Sequence, residues 1–229
     1  MTLLADLTWP EAARLAAAGA LLAVPVGSTE QHGPHLPLAT DADLAVALCA
    51  QLGQARPAVV VAPPVAYGSS GEHEGFAGTI SIGQEATELL LVELGRSATR
   101  TFPRVLLVST HGGNTEPVGR AVARLRAESR DVSVWRPRWH GDAHAGRAET
   151  SLQLALAPGT VRLDRAEAGN TTAITELMPA LRASAVRAVS PNGVLGDPAG
   201  ASAAEGAAMF AELLADLTGY LERWPDGDA

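Results

Sequence analysis

The feature that most constrains this chain is a set of short, continuously apolar runs separated by longer stretches of helical spacing. Leu21–Val26 (L-L-A-V-P-V), residues 58–62 (A-V-V-V-A) and Arg104–Ser109 (R-V-L-L-V-S) each have the length of a strand, and residues 131–135 give a fourth. A strand that is apolar without alternation is buried on both faces, as in a parallel sheet covered by helices on each side. Residues 8–19, 40–53, 84–101 and a segment from 114 or 115 to 130 read as the intervening helices. This alternation predicts an α/β fold, three-layer α/β/α, with a mostly parallel central sheet. A last helix is expected from Ser202, opened by the capping box S-A-A-E, to about Trp224, with an acidic tail fraying beyond it. Residues 158–201 read as irregular. The 229 residues suffice for a full core and are read most simply as one domain, 1–229.

Composition removes several functions. The formal net charge is -8 and there is no basic stripe, which argues against a nucleic-acid partner. No run of 18 apolar residues and no basic-then-apolar leader occurs, so a cytoplasmic protein without membrane contact is expected. All 17 basic residues are arginine. The absence of lysine excludes a Schiff-base lysine and a Walker-A loop. Cys49 is the single cysteine, which rules out a disulfide within the chain; in an Ala/Leu-rich helix with no His or Asp beside it, it reads as a small core residue.

The residues that carry chemistry gather in loops after the predicted strands. The first loop follows Leu21–Val26 and reads G-S-T-E-Q-H-G-P-H-L-P-L-A-T-D, residues 27–41. Glu30, His32 and Asp41 supply an N/O ligand set suited to zinc, iron or manganese. Asp41 alone could be a helix-start acid; a Gly/Pro-punctuated loop crowded with ligands at a strand end is a stronger signal. The second is H-G-G-N, residues 111–114, where His111 leaves the strand at Ser109 and would share the carboxyl edge of the sheet with Glu30. Asn114 or Thr115 is expected to cap the helix that follows. The third, residues 136–151, holds His140, Asp142, His144 and Glu149, the last at a helix start. A long loop over residues 63–79 carries Tyr67, Glu72, His73, Glu74 and Phe76, and loops of this length inside a compact domain are often functional. His32, His35, His111, His140 and His144 lie in or beside the three clusters and His73 in the long loop, so none of the six histidines falls on a helix face. That distribution fits a hydrolytic site with one or two divalent metal ions.

Four of these stretches, G-S-T-E-Q-H-G-P-H-L-P with T-D at 40–41, G-E-H-E-G-F-A-G-T-I at 71–80, H-G-G-N at 111–114 and H-A-G-R-A-E-T-S at 144–151, resemble the creatininase (creatinine amidohydrolase) family in order, over residues 21 to about 155. The resemblance implies a three-layer α/β/α homo-oligomer with a divalent-metal amidohydrolase site. It implies Glu30, His32, Asp41 and His111 as metal ligands with Asp41 as the bridge, Glu149 as a fifth ligand, and His144 as the histidine that handles protons or binds substrate; in a hydrolytic reading His144 or Glu149 moves protons to the leaving amine. The chain departs from true creatininases at two positions. They carry a glutamate where this chain has Gly113, and a tryptophan gate where it has His140. Both departures weigh against creatinine as substrate. The H-G-G-N form is similar to other branches of the family, the formamide hydrolases of flavin and deazaflavin biosynthesis and the peptidase that removes a modified C-terminal dipeptide from the mycofactocin precursor. The peptidase branch is the nearer in overall look. This leaves three readings: hydrolysis of a modified peptide, hydrolysis of a formamide or small cyclic amide, and, because of Gly113, a metal-binding subunit without catalysis.

Overall fold

The computed structural model describes residues 1–138 and 141–224; His140 and the tail after Trp224 lie outside the described residues. Its sheet has five parallel strands: β1 (Thr2–Leu3), β2 (Leu21–Val26), β3 (Val59–Val61), β4 (Arg104–Ser109) and β5 (Val132–Trp135). They lie in the order β1-β3-β2-β4-β5, and β2 pairs with β4 over its whole length, from Leu21 opposite Arg104 to Val26 opposite Ser109. The helices are α1 (Trp9–Ala17), α2 (Thr40–Ala55), α3 (Gly83–Ala98), α4 (Thr115–Ala127), α5 (Arg147–Leu156), α6 (Ile174–Val189) and α7 (Ala203–Arg223).

The period-2 geometry of strands divides the apolar runs between two cores. Leu22, Val24, Val26, Val105 and Leu107 face Leu91, Val118, Ala121 and Leu125 of α3 and α4. Leu21, Ala23, Leu106 and Val108 face Leu44, Leu48, Leu52, Leu152 and Leu217 of α2, α5 and α7. Every residue of β2 is buried, which is why its sequence shows no alternation. Cys49 belongs to the second core at 0% exposure, and burial pushes its thiol well above the ordinary range. A thiol reagent is therefore expected to leave the native chain unmodified and to react once denaturant unfolds it; rapid native labelling would contradict this packing.

Two expectations need correction. Residues 158–201 are not irregular throughout, because α6 occupies Ile174–Val189. Its apolar residues Ile174, Leu177, Met178 and Leu181 do follow helical spacing. The pattern is obscured by Pro179, which has no N–H to give the preceding turn, and by Ala185, a non-helical break at φ 64° and ψ 173°. Nor does the Asn114 side chain cap α4. Its Oδ1 accepts from Ser69 N at 2.9 Å and its Nδ2 donates to Gly27 O at 2.9 Å, so it ties the long loop to the end of β2.

In chain order β3 lies to one side of β2 and β4 to the other. The crevice between the carboxyl ends of β2 and β4 is thus the topological switch point, where open α/β sheets bind ligands. Among the described residues no helix is long and apolar enough to cross a membrane.

Candidate metal centre

Local packing at the switch point brings four chain segments together. Gly27 follows β2 where the chain passes the first turn of α2 so closely that an added Cβ would meet Ala42 Cα and N at 2.5 Å. The Thr110 hydroxyl, just past β4, donates to Asp41 O at 2.8 Å and fixes that turn from the other side. The loop carrying Glu30 and His32 closes through Glu30 N donating to Leu38 O at 3.0 Å. α5 brings Glu149 in its first turn.

The side chains of Glu30, His32, Asp41, His111 and Glu149 converge. Asp41 stands in the middle: Oδ1 is 3.6 Å from His32 Nε2, and Oδ2 is 3.2 Å from His111 Nδ1. Glu30 Oε2 is 3.1 Å from His111 Nε2, and Glu149 Oε2 is 3.9 Å from His32 Nε2. Two separate groups each have ligand atoms within 4.8 Å of one another, Glu30–Asp41–His111 and His32–His144–Glu149. Asp41 touches a histidine of each. A third such group, Glu30–His73–His144, shares members with both.

The electrostatics match a place built for positive charge. Burial raises Glu30 to about 7, partly offset by His111. Burial also raises Glu149, with His32 opposing. It is also the largest influence on His32, opposing its charge, but Asp41, Glu149 and Glu30 together outweigh burial and hold the imidazole up at about 10; Glu30, Asp41 and Glu72 together do the same for His111. Asp41, despite its burial, is held well below the carboxylate range by His32 and His111. Three acids thus share one buried space with two imidazolium groups as counter-charge. Yet among the described residues Glu30 Oε2 and His32 Nε2 have no hydrogen-bond partner. Orphaned buried ligand atoms cost free energy unless something binds them, and this donor set, carboxylate and imidazole, suits a divalent cation.

A neutral hydrogen-bonded chain backs the cluster. Gln31 Nε2 donates to His73 Nδ1 at 2.8 Å and to Gly193 O at 3.1 Å. His73 must then carry its proton on Nε2, which lies 3.2 Å from Glu30 Oε1. Burial, then the charge of His32, holds His73 down at about 3, so it stays neutral. His144 Nε2 donates to Gln31 O at 2.8 Å, which leaves Nδ1 with its lone pair 3.9 Å from Glu30 Oε1. Burial and His32 keep His144 neutral too, well below its usual range. Its ring stacks 4.3 Å from that of His32 and 4.4 Å from that of His73.

Other residues of the motifs serve the frame. His35 Nε2 donates to Thr150 Oγ1 at 2.8 Å, and that hydroxyl donates to Gly146 O at 2.7 Å, locking the start of α5. Asp142 Oδ2 accepts from Arg147 N at 2.6 Å and finishes the same helix end. Sequence spacing singled out neither Gln31 nor the role of His73, because both act through contacts more than 40 residues away. One signal was present: E-H at 72–73 sits in the long loop among Gly and Ser.

The cluster opens into a cavity of about 790 Å³. Glu30, Asp41, His111, His144 and Glu149 line its floor, and Ile174, Met178, Leu181 and Val186 of α6 form an apolar wall.

Comparison with known proteins agrees with this architecture. The creatininase family model, described as creatinine amidohydrolase, matches residues 5–221. The mycofactocin precursor peptide peptidase of Mycolicibacterium smegmatis is 52% identical over 214 residues, covering 90% of this chain and 86% of that protein. A tryptophan-to-alanine mutant of creatininase superposes with a TM-score of 0.84 at 26% identity, covering 98% of this chain and 99% of that one. A manganese creatininase superposes with a TM-score of 0.82 at 26% identity, covering 98% and 99%. With the motifs, the sheet order and these matches in agreement, the chain belongs to the creatininase family and is a hydrolase of amide carbon–nitrogen bonds.

Proposed function

We propose that this protein is a metal-dependent peptidase that releases the modified C-terminal dipeptide from the mycofactocin precursor peptide. The observation that carries the metal dependence is the convergence of five ligand side chains on the unpartnered atoms Glu30 Oε2 and His32 Nε2. In this reading Glu30, Asp41 and His111 would hold one ion, and His32 and Glu149, with Asp41, would hold a second. The ions are zinc, iron or manganese; similar solved creatininases include a manganese form and a zinc–zinc form. A divalent ion in such a site lowers the pKa of a water and polarises the amide carbonyl.

The chain's own groups do the rest. His144 is neutral, its Nε2–H is committed to Gln31 O, and its Nδ1 faces the cluster. That nitrogen is suited to accept a proton from the attacking water and return it to the departing amine. Glu149 is the other candidate for the same proton, since burial raises it toward the neutral form. The cavity of about 790 Å³ with its apolar α6 wall suits a peptide end better than a small cyclic amide. The 52% identity to a peptidase of that name supports the same choice over creatinine, since the creatinine amidohydrolase of Pseudomonas putida is 34% identical over 70% of the chain. The reading includes a homo-oligomer, as the family resemblance implies, and a cytoplasmic location.

The deciding experiment uses the modified precursor, a formamide and creatinine as substrates, with metal-stripped and reloaded protein. The expected result is cleavage of the precursor alone, lost on stripping and restored by zinc, iron or manganese. Undiminished cleavage after complete removal of metal would overturn the metal-dependent reading, and turnover of formamide with no action on the peptide would overturn the substrate. The Gln31–His73–Glu30 chain gives a second expectation. His73→Ala removes the imidazole held 3.2 Å from Glu30 Oε1 and frees that carboxylate to rotate, so metal affinity should fall about 10–100-fold, the range for partners of ligands. Competition with a chelating dye measures it, and wild-type affinity would show that Glu30 needs no such support.

A further inference from the structure

Glu72 is an acid beside the cluster that the five-ligand set leaves unused. It lies in the Gly71–His73 turn between two anchored residues. Ser70 is buried and its N–H donates to Ser81 Oγ at 2.9 Å; His73 is buried against Glu30. Ser69 O accepts from His111 Nε2 at 2.8 Å, so this loop is stitched directly onto His111. The Glu72 side chain lines the cavity, and Oε1 lies 3.7 Å from His111 Nε2.

Gly113 makes room for that carboxylate. A Cβ added there would overlap Glu72 Oε1, Ser69 O and His111 Nε2. Gly113 has no left-handed φ, so its backbone conformation does not demand glycine. Space does. The chain omits a side chain at the point where a carboxylate from another loop enters.

We infer that Glu72 is an exchangeable ligand for the ion at the Glu30–Asp41–His111 group, admitted by the gap at Gly113. The inference rests on the metal-site reading above. That group offers three protein donors, whereas divalent ions of this class take four or more. Glu30, Asp41 and His111 are each at most 5% exposed, but the Glu72 side chain is 35% exposed and can swing aside for substrate.

The test is calorimetric titration of metal-stripped full-length protein with Mn²⁺ and with Zn²⁺, for wild type, Glu72→Gln, Gly113→Ala and Asp41→Asn. Glu72→Gln is the primary variant, since a partly exposed amide in place of a carboxylate leaves the core untouched. It should weaken binding of at least one ion ten-fold or more, with an unchanged thermal melt of the metal-free protein. Gly113→Ala evicts the carboxylate and should weaken the same ion. Wild-type affinity in Glu72→Gln, alongside lost binding in Asp41→Asn, overturns the role of Glu72 and leaves the metal site standing. Wild-type protein that binds neither ion, or Asp41→Asn that binds as wild type, overturns the metal site itself.

Discussion

Asp41→Asn is expected to remove hydrolytic activity and metal binding together while the chain still folds. Asp41 is 4% exposed, and its two oxygens serve different histidines, Oδ1 facing His32 and Oδ2 facing His111. Ser28 Oγ donates to Oδ2 at 2.6 Å, and the backbone of the residue is held by the Thr110 hydroxyl, so the carboxylate has little freedom to reorient. It also sits in the first turn of α2, where the helix field favours an anion. Asparagine keeps the volume, so the packing around α2 survives. It removes the charge and turns an N–H₂ toward one of the two histidines. No other acid reaches both His32 and His111 within 4 Å among the described residues. Loss of a partner one step removed from a metal costs about 10–100-fold. Loss of the shared carboxylate should exceed that, leaving kcat/KM down by about 10²-fold or more. Steady-state cleavage and metal content per chain check it. A variant that keeps a tenth of wild-type turnover with a full complement of metal would remove Asp41 from the centre of the site.

How much of this was legible in the sequence follows from what local spacing can encode. Leu21–Val26 and Arg104–Ser109 announce a covered parallel sheet because burial on both faces leaves no polar position in the run. Glu30, His32, Asp41 and His111 stand out because each lies just beyond one of those runs, and a parallel sheet gathers all such ends on one edge. The partners that hold these side chains in place do not stand out. Gln31 reaches His73 through its amide across 42 residues and His144 through its carbonyl across 113, and nothing in G-S-T-E-Q-H says that these groups point there. The long loop was conspicuous by its length, but the reason Glu72 and His73 meet the cluster is that Asn114 and His111 fasten Ser69. Helix α6 was hidden because its apolar face packs on the loop residue Phe76 and on Leu195 rather than on the sheet, and Pro179 interrupts the pattern.

Gly27→Ala should damage the site without touching a ligand. The first glycine of G-S-T-E has no side chain because α2 begins against it: a Cβ would lie 2.5 Å from both Ala42 N and Cα and 2.9 Å from Asp41 C. These are backbone atoms in the first turn of a helix whose other faces pack on Leu106 and Val108, so they cannot rotate away as a flexible side chain could. Relief requires α2 to retreat from the β2 end or the loop of Glu30 and His32 to lift. Overpacking of this kind costs about 1–3 kcal/mol. Either movement separates Asp41 from His32 and His111, and a misplacement near 1 Å in a catalytic arrangement can cost about 10²-fold in rate. The variant is therefore expected to melt a few degrees lower, to bind metal more weakly, and to lose far more activity than its stability loss explains. Gly53→Ala is the control: it lies in the same helix, where an added Cβ meets side-chain atoms of Val61 and Met1 at 3.1 and 3.3 Å and Val59 O at an ordinary 3.8 Å, far from the cluster. It should change stability alone, with activity per folded molecule kept. If both variants lose activity only in proportion to their unfolding, the close approach at Gly27 serves the fold and does not set the geometry of the site.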